Sequence, residues 1–164
     1  MIISYSDIKD VLLSSNLTEG EIIKGLKKLS VNFTRQRNNL NEYTISKELV
    51  SIYTAVYLPT NLLKFDFIVS QLSEEIQNDL REGDFIDLGT GPGTYLLAWN
   101  HFVGKEYQGQ IYAIDKSTLM LDQAKELQKE FYPWNTKVQF SEIVPRNLST
   151  RRKVLFLGHS LNEF

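Results

Sequence analysis

"FIDLGTGPGT", residues 85 to 94, sets three glycines at alternate positions behind an acidic residue and a short apolar run. Backbone so free of β-carbons serves the close approach of a ligand or of another stretch of chain. The flanking residues decide which fold carries it. "DFIDL" before the glycines predicts a buried strand, and "TYLLAWNHFV" after them predicts a helix. The alternation continues with "QIYAID" as a second strand, "STLMLDQAKELQKEFY" as a second helix, and "KVQFSEI" and "KVLFLG" as third and fourth strands. The stretch between those last two contains Pro145 and no long helical pattern. Strands alternating with crossover helices imply a parallel sheet with right-handed connections, a doubly wound, Rossmann-like α/β architecture entered from its middle. A strand-to-helix loop in such a sheet lies at the carboxyl edge, where ligands bind at the change of strand direction.

Upstream, the pattern is helical. Thr18 and Glu21 have capping-box spacing, and Ile22, Ile23, Leu26 and Leu29 then recur at helical intervals with Lys24, Lys27 and Lys28 on the other face. "RQRNNLNEY" is polar and aperiodic, so it reads as a loop. It leads to a helix near Ser46 with Leu49, Val50, Tyr53, Val56 and Tyr57 as its apolar positions, and Pro59 is expected to interrupt it. A further segment, "TNLLKFDFIVSQLSEEIQNDL", places Leu62, Leu63, Phe67, Ile68 and Leu72 on its apolar side. The division is therefore an N-terminal helical cap region over 1–80 and a Rossmann-like domain over 81–164.

Composition narrows the function classes. The 164 residues, 42% of them hydrophobic, suffice for one sizeable core. A net charge of -2 gives no global pull toward nucleic acid, so any RNA contact rests on a local basic patch, with Arg35, Arg37 and the lysines of the 24–28 face as candidates. A solvated helix face explains those lysines equally. The absence of cysteine excludes disulfides, thiolate metal sites and a cysteine nucleophile, and with two distant histidines no metal site is expected. Neither a secretory leader nor a membrane-spanning apolar run is visible, which predicts a soluble, cytoplasmic chain with no membrane partner.

The spacing of the glycines discriminates between ligands. A dinucleotide fingerprint, G-x-G-x-x-G, would need a third glycine at position 94, which is Thr94; the glycines are Gly89, Gly91 and Gly93. With Asp87 ahead of them, "DLGTGPG" resembles motif I of class I S-adenosylmethionine-dependent methyltransferases. An acidic residue suits the ammonium of that cofactor and would repel a phosphate. Asp115, 22 residues after Gly93 at the end of the second strand, is positioned to accept the two ribose hydroxyls, although a turn or helix N-cap is its plainer role. Leu119 and Met120 are candidates to flank the adenine, and Glu142 to meet its amino group; Met120 also suits the core, and Glu142 a solvated loop. His101, on the first crossover helix, reads as a surface or core residue.

Both halves together, with "LSVNFTRQRNNLNEYTISKELVSIYTAVYLPTNLLKF", then "FIDLGTGPGT", "IYAIDKSTLMLDQAKEL" and "VLFLGHSLNEF", resemble the methyltransferase-like family of the mitochondrial small ribosomal subunit and its bacterial relatives. Tyr53 to Thr60 and His159 to Phe164 carry the specific part of that likeness. The family often has an arginine two residues before the proline, where this chain has Tyr57, and some members have a cysteine cluster that is absent here. The resemblance implies an S-adenosylmethionine site at Asp87, Gly89, Gly91, Gly93 and Asp115, and a role in small-subunit assembly or on ribosomal RNA.

The sheet expected of a complete class I domain has further strands after the fourth, so the chain reads as a fragment of a longer polypeptide. A naturally short chain would instead leave the fourth strand as an edge for dimerisation or a partner chain. Methyl transfer is a direct displacement that depends mainly on alignment, so no catalytic acid or base is required. His159, Asn162 and Glu163, after the fourth strand, are the weak candidates for positioning an acceptor. Two alternatives stand beside an RNA methyltransferase: a non-catalytic cofactor-binding or structural module, and a methyltransferase for a small molecule or protein.

Overall fold

The computed structural model describes residues 3–35 and 46–158. The elements run α1 (Tyr5–Ile8), a 3-10 turn (Lys9–Val11), α2 (Glu19–Arg35), α3 (Lys47–Ser70), α4 (Glu74–Glu82), β1 (Asp84–Leu88), α5 (Thr94–Val103), β2 (Ile111–Ile114), α6 (Thr118–Phe131), β3 (Val138–Ser141) and β4 (Lys153–Phe156). The four strands form one parallel sheet in the order β3-β2-β1-β4. The chain thus enters at an inner strand, steps outward to β3 and returns to the other side of β1, which puts the change of direction at the β1 loop.

Period-two alternation sorts the sheet residues between two faces. Phe85, Ile111, Ala113, Val138, Phe140, Val154 and Phe156 belong to the main core with Trp99 and Phe65. Phe85 stacks on Trp99 with ring centroids 4.2 Å apart. Ile86, Leu88, Tyr112 and Ile114 face the other way and meet Leu148 of the irregular β3–β4 connection. Among the described residues β4 pairs with β1 alone.

The helices upstream of residue 80 share the main core. Ile3, Ile8, Leu12, Ala55, Leu58, Leu62 and Phe65 are buried in the same cluster as the sheet residues. Gln123 of α6 ties down the N-terminal segment, accepting from the Leu13 amide at 2.9 Å and donating to the Val11 carbonyl at 2.8 Å. The change of pattern near residue 80 is therefore no break in the core.

Two expectations for the helices are corrected. Pro59 lies inside α3, which runs on to Ser70. Its missing N–H removes the helical hydrogen bond to the Ala55 carbonyl, but buried residues on both sides of the proline hold the helix to one core. The register of the continuous helix buries Leu58, Leu62 and Phe65 and leaves Leu63, Phe67 and Ile68 exposed. The stretch 60–80 is also two helices, because Ser73 caps a new one, accepting from the Ile76 amide. The Thr18–Glu21 capping box forms as anticipated, with reciprocal bonds of 2.8 and 3.3 Å.

Candidate functional site: the glycine loop at the carboxyl edge

Residues 89–93 bridge the end of β1 and the start of α5 with Gly89, Gly91 and Gly93 all at positive φ. Gly91 and Gly93 do different work. A β-carbon on Gly91 would meet nothing within 4 Å, so this position faces open space. One on Gly93 would lie 3.0 Å from the Ala124 Cβ and 3.3 Å from its Cα. Gly93 therefore admits α6 beside the start of α5.

Every N–H that the loop offers is already engaged. Gly89 and Thr90 donate to the Ile114 carbonyl at 2.8 and 2.9 Å, and Gly93 donates to the Thr90 carbonyl at 3.0 Å. Gly91 donates to Asp115 Oδ2 at 2.8 Å, and Pro92 has no N–H. The loop consequently presents no free amide to a phosphate, unlike the anion cradles of dinucleotide sites.

Two carboxylates adjoin it instead. Asp115 leaves the end of β2 and also accepts the Ser117 amide at 2.9 Å; burial pushes its carboxyl up, with the Ser117 and Gly91 amides opposing. Each oxygen thus has one N–H partner and one remaining lone pair. Asp87 is wholly buried on the helix-covered side of β1. Its Oδ2 accepts the Thr90 hydroxyl at 2.7 Å, while Oδ1 has no partner. Burial raises its carboxyl to about 7; the Thr90 hydroxyl opposes the rise, the Asp115 charge adds to it, and the Leu96 amide at the start of α5 also opposes it without making a hydrogen bond of good geometry to Oδ1.

The other candidates are placed differently. Met120 is 2% exposed and packs in a cluster with Leu29, Leu49, Val50 and Ile52, with Leu119 at its margin. Met120 takes the core position that its sequence also suited, because α2 and α3 cover the start of α6. Glu142 and His101 are exposed. His159, Asn162, Glu163 and Arg37 lie outside the described residues, as does the side chain of Arg35.

Two residues near the loop were not anticipated. Thr90, inside the glycine run, is the hydroxyl that holds Asp87, and its three-residue spacing from that aspartate was the available signal. Tyr95 packs on Phe156 with ring centroids 4.5 Å apart and sits against Gly158, where a β-carbon would fall 2.0 Å from the ring. It joins the glycine loop's helix to the end of β4.

Among the described residues no group of three or more histidine, cysteine or acidic side chains is arranged to hold a metal ion, and no helix is long and apolar enough to cross a membrane. Comparison with protein-family models, with curated proteins and with solved structures finds no match.

Proposed function

We propose that the chain binds S-adenosylmethionine over the glycine loop and acts as a methyltransferase-like protein on ribosomal RNA or the small ribosomal subunit. The observation that carries this reading is the pairing of a G-x-G-x-G loop whose amides are all engaged with two carboxylates at its edge. Such a surface offers acceptors, so it favours a ligand with an ammonium and hydroxyl donors over one with a pyrophosphate. Asp115 would accept a ribose hydroxyl through its free lone pairs, Gly91 would admit the ligand close to the main chain, and Asp87 would supply negative charge beneath it. The cofactor brings an activated methyl group; the chain's part is to hold and orient it and to keep water away.

The RNA part of the reading rests on α2. Lys24, Lys27 and Lys28 are exposed along it, and α2 packs through Leu29 into the cluster that also contains Met120, five residues after Asp115. A basic helix face is thereby attached to the ligand edge, suited to phosphate contacts that position without reading sequence.

Methyl-labelled S-adenosylmethionine incubated with the chain and small ribosomal subunits tests the reading. Label in RNA, together with RNA affinity that falls steeply as salt rises, is the expected result. Cofactor binding with neither transfer to RNA nor salt-dependent RNA affinity would reject the RNA substrate.

A further inference from the structure

Asp87 combines three features that set it apart from the other described carboxylates: it is wholly buried, one of its oxygens has no hydrogen-bond partner, and it is bonded through Thr90 to a loop that is open at Gly91. Among the described residues Trp99 Nε1 is the other buried side-chain atom without a hydrogen bond of good geometry, but it belongs to the aromatic core beside Tyr107. An unsatisfied buried carboxylate oxygen lowers its free energy by holding a proton or by facing a positive charge. The groups acting on Asp87 supply no such charge. The Thr90 hydroxyl belongs to the loop, the Asp115 carboxylate comes from the end of β2, and the Leu96 amide and the Tyr95 phenol come from α5. Lys116 acts on Asp115.

We propose that a cationic group on the ligand supplies the missing charge to the buried, unpartnered Asp87 Oδ1, and that its binding expels a proton from Asp87, making affinity proton-linked. The inference rests on the cofactor reading above, and it adds a selection for charge. The proton leaves the Asp87 carboxyl for solvent, and the ligand's cation compensates the carboxylate that remains. Contact between them is unnecessary, because charges interact strongly across a dry interior. Half-protonation at about 7 puts the release within the working range. An α-amino group, with an ordinary value of about 7.7 to 8.0, stays charged through that window, so the pH dependence reports the protein.

Calorimetry of S-adenosylmethionine binding at pH 7, in phosphate and in imidazole buffer, measures the proton count. The expected result is release of about half a proton, affinity roughly tenfold weaker at pH 5.5 than at pH 7, and loss of both effects in Asp87→Asn. Equal binding heats in the two buffers, or release that persists in Asp87→Asn, would overturn the inference while leaving the cofactor reading intact. No binding at any pH would overturn the cofactor reading and this inference with it. A carbon-13 titration of the unliganded wild-type chain needs neither the variant nor the cofactor: an Asp87 midpoint near 7 is expected, and one near 4 would overturn the inference by itself.

Discussion

Asp115 and Gly91 are 24 positions apart in the chain, and the carboxylate of one accepts the amide of the other at 2.8 Å. The bond joins the end of β2 to the middle of the glycine loop. It also removes the N–H that a phosphate would need, so one interaction shapes the loop and biases its ligand. The same carboxylate caps the turn into α6 through Ser117.

The glycines of the loop are unequal, and their substitution will show it. Gly91→Ala meets open space and bears only the strain of positive φ, about 1 kcal/mol. Gly93→Ala adds a collision with Ala124 and should lose about 2 kcal/mol or more. Urea denaturation of both variants checks the ranking; equal losses would mean that α6 yields freely.

Stability should depend on pH through Asp87. Its folded-state value, about 7, lies above an unfolded value near 4, so the folded chain holds this proton more tightly. The stabilising contribution is full below about pH 4 and is lost as pH rises through 7, at up to about 1.4 kcal/mol per unit. Asp115, also raised, acts in the same direction. Denaturation midpoints between pH 4.5 and 8 should therefore fall more steeply for the wild type than for Asp87→Asn. Parallel profiles would contradict the assignment.

The register of α3 makes neighbouring leucines differ. Leu62→Ala opens the main core and should cost about 2 to 5 kcal/mol, whereas Leu63→Ala, at an exposed site, should stay within about 0.5 kcal/mol. Comparable losses from both would show that the helix does not continue in one register past Pro59.

The sheet and the glycine loop were legible because their signals are local. Strand β1 and helix α5 coincide with "DFIDL" and "TYLLAWNHFV", whose common boundary is the glycine run. Helix α3 was misread where a local rule met tertiary packing. Pro59 costs a hydrogen bond, but the core contacts of Ala55, Leu58, Leu62 and Phe65 outweigh it and fix the buried face. The state of Asp87 was hidden for a similar reason. Its burial depends on what lies over the end of β1, and its unpaired oxygen depends on which way the Thr90 hydroxyl points.

Titration of S-adenosylmethionine, and separately of NAD, into the purified chain by calorimetry, with Asp115→Ala alongside, decides whether the glycine loop holds this cofactor. S-adenosylmethionine should bind and NAD should not, with affinity weakened tenfold or more by the substitution, since at least one charge-assisted hydrogen bond and the Gly91 anchor disappear together. Binding of NAD in preference, or S-adenosylmethionine affinity unchanged in Asp115→Ala, would contradict that assignment.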